Sequence, residues 1–263
     1  MAIYVFNLLV GWAPNGVDNA QGYRAKMLNH FVQPVNYIFT DLPRREDIAY
    51  YSKLGIGEEQ MLSIHFFLAN HCTLNTSVEV KNKVEELMKK MPFLEVEYQD
   101  MQVLFKCDEE IVIKILLDER ERKYLWRICY FKHNKLIRKE TFADGIVYTE
   151  YYKLKKSEDG KEYEKLIKRT FYYPNGQIAY SQLIEEGKEW YLFPDEKIYT
   201  KQQFIGQFIR KINLSKADTV LMDRGAQFDF VQPVFQFGKS ARFIAVMHSE
   251  HYFDKGRDCN WLY

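Results

Sequence analysis

The feature that most restricts the fold of this chain is a change in hydrophobic period between residues 93 and 199. Apolar side chains recur there at every second position, as in Tyr124, Trp126 and Ile128. Period two is typical of a β-strand with one buried face. Turn signals separate the runs at Asp144-Gly145, Asp159-Gly160 and Asn175-Gly176. Such pairs favour tight hairpins because both positions tolerate positive φ, so we predict an antiparallel β-meander of about seven to nine strands.

The stretches before and after this meander have the pattern of an α/β domain. An apolar run at 3–10 leads into a glycine-bearing turn and then into helical spacing, which also returns at 204–212. Short apolar runs that end in a polar residue, at 219–223 and 243–248, are typical of buried parallel strands. We predict a discontinuous Rossmann-like α/β domain, residues 1–92 and 200–263, interrupted by an inserted antiparallel β-sheet domain, residues 93–199.

Composition excludes several classes of partner and location. The 37 basic and 36 acidic residues give a net charge of +1, so no nucleic-acid partner is expected. The four cysteines show no C-x-x-C spacing, which argues against a zinc ribbon or a disulfide framework and favours a reducing cytoplasm. No run approaches the ~20 apolar residues of a spanning helix, and the opening apolar stretch has no basic segment before it.

Three loops follow predicted strands of the parallel sheet: Gly11 to Gly16, Asp223-Arg224-Gly225, and His248-Ser249-Glu250-His251. Ligands of open parallel sheets bind beyond the carboxyl ends of the strands, so the three loops are expected to line one crevice. The first loop would bring backbone N–H groups and a helix N-terminus towards a phosphate. Its spacing is neither G-x-G-x-x-G nor a P-loop, and judged alone an ordinary βα turn explains it better.

The polar residues of the other two loops have alternative interpretations. Arg224 is suited to a bidentate pair with a phosphate or carboxylate, yet Asp223 and Arg224 are about equally suited to capping the next helix. The pair His248 and His251 lacks a third ligand at diagnostic spacing, so no metal is expected. A hydrolase triad is not supported either, because the chain has no G-x-S-x-G elbow.

Two basic strips lie among aromatic residues of the meander, at Lys153 to Lys156 and Lys165 to Arg169. We interpret them as edge lysines that discourage strand-to-strand aggregation. Docking to a membrane surface or to a partner is the alternative.

Several stretches, in order along the whole chain, resemble a known family. They are Ile3-Tyr4-x-x-Asn7-Leu8, Gly11-Trp12-Ala13-x-x-Gly16-Val17, Phe39-Thr40-Asp41, Arg169-Thr170-Phe171-Tyr172, Lys211-Ile212-Asn213-Leu214 and Val246-Met247-His248-Ser249-Glu250-His251. This pattern resembles the glycosyltransferase-A subunits of the accessory Sec system of Gram-positive bacteria. The resemblance implies a retaining GT-B glycosyltransferase of family 4, with an extended β-sheet domain inserted in its N-terminal Rossmann half.

The resemblance also implies an activity and its residues. It implies transfer of N-acetylglucosamine (GlcNAc) from UDP-GlcNAc to Ser/Thr of serine-rich repeat adhesins, in the cytoplasm or peripherally at the membrane, without a metal or other cofactor. A glycosyltransferase B subunit would be the partner, and the inserted sheet would bind it and help hold the Ser/Thr-rich acceptor. The residues implied are His248 as the catalytic residue, Gly11, Gly16 and Val17 at the donor, and Asp223, Arg224 and His251 at the acceptor or phosphate.

Two departures from the family pattern shape the expectation for this chain. The chain ends soon after the His248 loop, whereas the family continues into a second Rossmann half that grips the UDP-sugar. We therefore expect an acceptor- and partner-binding N-terminal half that is inactive alone. The loop Gly225 to Phe230 is also bulkier than the family's glycine-bearing version. A related wall teichoic acid glycosyltransferase, acting on a poly(polyol phosphate), and a non-catalytic binding or scaffold module are the alternatives.

Overall fold

A computed structural model describes residues 1–7, 16–30, 34–71, 76–222, 228–238 and 240–246 of the chain. The chain divides into two compact units, one built from residues up to Leu68 and from Thr200 onward, the other from Ala69–Tyr199. The predicted limits of the inserted domain, residues 93 and 199, stay predictions. At the first junction, the predicted limit after Pro92 lies beyond the division between Leu68 and Ala69.

The elements of the two units follow one another along the chain. The first unit opens with β1 (Ile3–Asn7), α1 (Gly16–Leu28), β2 (Val35–Phe39), α2 (Arg45–Lys53), a 3-10 turn (Glu58–Gln60), β3 (Met61–Ser63) and α3 (Ile64–Leu68). The second unit contains α4 (Val80–Lys90) and the strands β4 (Glu95–Gln99), β5 (Gln102–Cys107), β6 (Glu110–Leu117), β7 (Leu125–Lys132), β8 (Lys135–Phe142), β9 (Ile146–Lys156), β10 (Glu162–Tyr172), β11 (Ile178–Glu185), β12 (Lys188–Leu192) and β13 (Ile198–Thr200). The first unit resumes with α5 (Lys201–Ile212), β14 (Thr219–Met222), α6 (Phe228–Phe237) and β15 (Arg242–Ala245).

The first unit is a parallel sheet with the strand order β15-β14-β1-β2-β3. Helices cover both of its faces. Neighbouring residues of β1 point to opposite sides of the sheet, so they pack against different helices. Val5 belongs to a buried cluster with Tyr37 and Tyr51, whereas the ring of Phe6 lies 6.5 Å from that of Phe208 on α5. The α/β class predicted from the flanking patterns is confirmed by this sheet.

Helix α5 shows how the local sequence sets an element of this unit. The Thr200 hydroxyl accepts a hydrogen bond from the Gln203 backbone N–H, and the Gln203 side chain accepts one from the Thr200 backbone N–H. This capping box satisfies N–H groups that the first turn leaves unpaired. At the other end Asn213 adopts a left-handed conformation, with φ of 51°. Residues Phe204, Ile205 and Phe208 are fully buried, as the helical spacing predicts.

One segment of the first unit does not follow its local spacing, which predicts a helix. Glu58 to Asn70 has helical spacing, but Met61 to Ser63 form the parallel edge strand β3, which pairs Tyr37 with Met61 and Phe39 with Ser63. A three-residue segment is too short to show either period, so its pairing partner decides its conformation. Only Ile64–Leu68 are helical there.

The second unit is a ten-stranded antiparallel meander in the order β13-β12-β11-β10-β9-β8-β7-β6-β5-β4. Helix α4 packs on this sheet through Val80, Val84 and Leu87, which share one buried cluster with Phe105 and Ile113. Burying each such side chain stabilises the fold by about 1.5–3 kcal/mol. This packing explains why the helix belongs to the second unit, although its sequence alone resembles the helices of the α/β domain.

Most of the two basic strips lies where β9 and β10 extend beyond their outer neighbours. Strand β8 pairs with β9 only as far as Tyr151, and β11 pairs with β10 only from Lys168 onward, whereas Lys153 to Lys156 pair with Glu162 to Lys165 of β10. The edges of this two-stranded extension are open, so the interpretation as edge lysines stays compatible with the pairing, although β9 and β10 lie in the middle of the strand order. Strand pairing across ten strands, which a local pattern does not encode, determines which strands become edges.

Candidate functional site

Three neighbouring strands of the parallel sheet end side by side. In the strand order β15-β14-β1, Phe6 pairs with Met222 and Met222 pairs with Ala245. Because the strands are parallel, the chain leaves all three at the same edge of the sheet. The segments that follow Asn7, Met222 and Ala245 are the three loops in which the sequence predicts functional residues. Ligands of open parallel sheets bind at this edge.

The structure describes two of the predicted site residues, Gly16 and Val17, and not the others. Gly16 and Val17 are the first two residues of α1, directly after the glycine-bearing loop. The remaining predicted residues lie outside the described residues: Gly11, Asp223, Arg224, His248 and His251. Their roles in donor, acceptor and catalytic contacts stay predictions.

A charged pair that the sequence did not indicate lies at the same edge. Lys201 Nζ donates to Asp41 Oδ1 at 2.8 Å, and Asp41 follows the carboxyl end of β2 by two residues. Lys201 is the first residue of α5 and is separated from Asp41 by 160 positions along the chain. No local motif connects residues so far apart, so only the tertiary fold reveals the pair. It places a half-exposed ion pair beside the ends of the strands.

Two buried polar side chains lie at the carboxyl end of β3 and at the start of α3. Ser63 ends β3, and its buried hydroxyl makes no hydrogen bond within the described part of the chain. His65 is only 2% exposed, and its ring lies 5.3 Å from that of Phe204. Such burial indicates a structural role for His65, because a substrate cannot reach its ring.

The inserted sheet carries a row of buried polar side chains across its central strands. Glu150 on β9 lies between two cations of the neighbouring strands: Lys139 Nζ is 3.2 Å from its Oε2, and Arg169 Nε donates to its Oε1 at 3.0 Å. Burial raises the pKa of the Glu150 carboxyl, but Lys139 and Arg169 outweigh burial and hold that pKa below its usual value. Burial lowers the pKa of Lys139, but Glu150 and the Tyr152 hydroxyl together outweigh burial and hold that pKa above its usual value.

Hydrogen bonds extend this row from β10 across β11 to β12. Arg169 donates to Gln182 Oε1 at 3.1 Å, Gln182 donates to the Tyr191 hydroxyl at 3.3 Å, and that hydroxyl donates to Glu189 Oε2 at 2.7 Å. These hydrogen bonds pair the buried polar groups of the row with one another and join five strands, β8 to β12, so the row fixes the register of these strands. Alternation predicts which of these residues share a face but not which of them meet.

Two absences hold for the described residues. Between residues 1 and 246, apart from the gaps named above, no group of three or more His, Cys, Asp or Glu side chains is arranged to hold a metal ion. Within the same ranges no helix has both the length and the apolar character needed to cross a bilayer.

Comparison with protein families identifies the inserted sheet. Residues 95–195 match the family model of the GtfA extended beta-sheet domain. The whole chain is similar to the UDP-N-acetylglucosamine--peptide N-acetylglucosaminyltransferase GtfA subunit of Streptococcus parasanguinis, with 27% identity over 261 residues, 98% of this chain and 50% of that protein. The GtfA subunit of Streptococcus pneumoniae serotype 4 is 30% identical over 264 residues, 100% of this chain and 51% of that protein.

Solved structures agree with these relatives. The pneumococcal O-GlcNAc transferase GtfA in complex with UDP and GlcNAc superposes with a TM-score of 0.76 at 27% identity, over 97% of this chain and 49% of that one. A GtfA/B complex gives 0.75 at 27% identity, over 97% and 50%. TarM gives 0.64 at 16% identity, over 96% and 51%, which shows likeness of fold alone. The predicted fold, half of a GT-B architecture with an inserted sheet, is confirmed, and the chain spans about half the length of the curated relatives it matches.

Proposed function

We propose that this chain, a homologue of GtfA over its whole length, is the acceptor- and partner-binding half of a glycosyltransferase. The complete enzyme would transfer GlcNAc from UDP-GlcNAc to Ser/Thr side chains of serine-rich repeat adhesins in the cytoplasm. The observation that carries the proposal is similarity to GtfA subunits along 96–100% of the chain, at 26–30% identity. Those relatives are named as UDP-N-acetylglucosamine--peptide N-acetylglucosaminyltransferases.

In this proposal the edge of the parallel sheet is one wall of the donor cleft. Gly11, Gly16 and Val17 approach the donor diphosphate at the N-terminus of α1, where backbone N–H groups favour an anion. His248 lies beside the transferring carbon, and Asp223, Arg224 and His251 contact the acceptor or a phosphate. The support is the arrangement of the strands, because β1, β14 and β15 are adjacent and parallel and each precedes one of these loops.

Turnover in this proposal requires the remaining length of a GtfA-like enzyme. Departure of UDP leaves negative charge that must be stabilised by fixed positive groups. In the family that this chain resembles, these groups belong to a second Rossmann half. That half corresponds to the part of each relative that lies outside the aligned residues. The chain alone therefore binds acceptor and partner but does not turn over.

We assign the partner as a glycosyltransferase B subunit of the accessory Sec system, bound through the inserted sheet. A solved relative is a GtfA/B complex, and the matched family model covers the sheet. Co-purification of this chain with a B subunit tests the assignment. Retention of the B subunit by residues 1–263 is the expected result, and passage of the B subunit through the column would contradict it.

The activity is tested by joining the chain to the remaining half of the pneumococcal GtfA and co-expressing the product with the B subunit. Mass spectrometry of a Ser/Thr-rich peptide then measures GlcNAc transfer from UDP-GlcNAc. We expect transfer by the joined enzyme and none by the 263-residue chain. Transfer by the isolated chain would overturn its assignment as a half enzyme. A poly(polyol phosphate) in place of the peptide tests the teichoic acid alternative, and binding without transfer to any acceptor would favour a scaffold.

The role of His248 is tested in the same joined enzyme. His248→Ala is expected to lower kcat by more than about tenfold while changing the KM for UDP-GlcNAc less, because the imidazole is proposed to act near the reacting carbon. The matched control is His133→Ala, an exposed histidine of the turn between β7 and β8. Equal kcat in the His248 variant and the unmodified enzyme would remove His248 from the proposed site.

A further inference from the structure

The second unit contains a cavity of about 500 Å³ that the proposed function does not use. It opens between the ends of strands β8 to β10 and the segment at Asn70 and His71, all within the second unit. Its lining combines phenol rings, among them Tyr151 and Tyr172, with a guanidinium from Arg138 and carboxylates from Glu140 and Asp144. Volumes of about 300–1,000 Å³ are typical of small-molecule sites.

We propose that this cavity binds a single uncharged pyranose ring. Its lining carries one guanidinium, Arg138, against two carboxylates, Glu140 and Asp144. This balance disfavours an anion such as a nucleotide diphosphate. Sugar hydroxyls both donate and accept hydrogen bonds, so a neutral ring satisfies the carboxylates and the guanidinium together. The apolar rings of Tyr151 and Tyr172 provide surface for the C–H face of the sugar.

Arg138 has hydrogen-bonding capacity that the protein leaves unused. Its Nε is buried and makes no hydrogen bond within the described residues, although it lies 3.5 Å from Glu140 Oε1 as an ion pair. The guanidinium stacks over the ring of Tyr130, 3.9 Å from the ring centre, which holds its plane in place. A buried donor that makes no hydrogen bond costs free energy that a ligand hydroxyl can recover.

The other groups of the cavity are positioned before a ligand binds. Glu140 Oε2 accepts a hydrogen bond from the Tyr130 hydroxyl at 3.0 Å. Tyr172 is held at two points, since its hydroxyl accepts from Thr149 at 3.4 Å and its backbone carbonyl accepts from His71 Nε2 at 2.7 Å. Rigid walls reduce the entropy that binding costs, so the cavity is built as a site rather than as a loose surface depression.

The test uses the whole 263-residue chain and methyl N-acetyl-α-glucosaminide, titrated by saturation-transfer NMR. The choice of this glycoside, and only this choice, rests on the proposed function. We expect saturable binding that weakens by about tenfold or more in Arg138→Gln, because a charged hydrogen bond is lost. Asp144→Asn, on an exposed position, is expected to weaken binding by about threefold to tenfold.

Matched variants separate loss of the site from loss of the fold. Arg122→Gln and Asp159→Asn change exposed residues of the same unit outside the cavity, and their affinities are expected to stay within about twofold. Tyr151→Phe removes one hydroxyl and keeps the ring, so it weakens binding without opening the core. Thermal unfolding of each variant reports on the fold.

Three results would overturn the proposal. The first is absence of saturable glycoside binding, and the second is equal affinity of the unmodified chain and the Arg138 variant for the glycoside. The third is that Arg138→Gln weakens binding of UDP, or of an unmodified Ser/Thr-rich peptide, but does not weaken binding of the glycoside. The titration contains no sugar donor. Failure here therefore leaves the transferase proposal intact, and failure of the transfer assay leaves this one intact.

Discussion

At the scale of single residues, Glu150 carries a buried negative charge that depends on two neighbouring cations. Its carboxylate is buried and bonded to Lys139 and Arg169 on the two neighbouring strands. Replacing it in Glu150→Gln leaves two largely buried cations without their counter-charge. We expect the free energy of unfolding to fall by about 3 kcal/mol, measured by urea denaturation.

The matched control for this change is Glu162→Gln on the neighbouring strand β10. Glu162 is 40% exposed and lies 4.0 Å from Lys135, a geometry typical of a surface ion pair. Its loss is expected to change the free energy of unfolding by less than about 0.5 kcal/mol. Equal effects of the two substitutions would contradict the structural role of the buried row.

The same carboxylate predicts how stability depends on pH. Its pKa in the folded chain lies below its usual value because Lys139 and Arg169 outweigh the effect of burial. The ionised form therefore stabilises the fold fully above the unfolded pKa of about 4.3, and this stabilisation is lost as pH falls through the folded pKa. Urea denaturation between about pH 5 and about pH 3 should show a shallower decline in Glu150→Gln than in the unmodified chain. Parallel curves would contradict the lowered pKa.

At the scale of elements, the turn between β9 and β10 depends on a glycine. Gly160 has φ of +80°, and its N–H donates to the Ser157 carbonyl at 2.9 Å. A side chain in this left-handed region is strained, so Gly160→Ala is expected to destabilise the chain by about 1 kcal/mol.

Gly145 in the turn before β9 is the matched control, because its φ lies outside the left-handed region and a Cβ there would meet open space. Gly145→Ala should be neutral or slightly stabilising, since alanine restricts the unfolded chain more than glycine does. Thermal unfolding of both variants measures the difference, and equal melting temperatures would show that the Gly160 turn relaxes at no cost.

At the scale of the whole molecule, the two units have separate cores. Val84 of α4 belongs to the cluster beneath the antiparallel sheet, whereas Phe208 of α5 packs against Phe6 of the parallel sheet. Val84→Ala should cost about 2 kcal/mol and Phe208→Leu on the order of 1–2 kcal/mol. Because the cores are separate, each substitution should speed amide hydrogen exchange mainly in its own unit.

Hydrogen exchange read by mass spectrometry distinguishes the two responses. For Val84→Ala the faster peptides are expected within residues 69–199, and for Phe208→Leu within 1–68 and 200–222. Each variant serves as the control for the other. Equal acceleration of both regions by either substitution would show that the chain unfolds as one cooperative unit.

Much of the architecture follows from local patterns. The alternation and turn pairs between residues 111 and 192 correspond to the strands β6 to β12, and the spacing at 204–212 corresponds to α5. These patterns succeed because strand faces, hairpin turns and helix caps are set by residues within a few positions of one another. The short runs at β3 and β13 carry too few residues for a period to be read.

For the candidate site, local patterns predict that three loops follow strands of the parallel sheet. The residue types of the first loop and of Arg224 indicate a phosphate, and the family resemblance implies an acceptor. The fold, which no local pattern encodes, makes β1, β14 and β15 neighbours whose carboxyl ends share one edge of the sheet. It also brings together Asp41 and Lys201, the buried polar row around Glu150 and the lining of the cavity beside Arg138. The physical reason is the same in each case: these contacts join residues of different strands and helices, and pairing, register and packing choose the partners, whereas periodicity determines only the face on which a side chain lies.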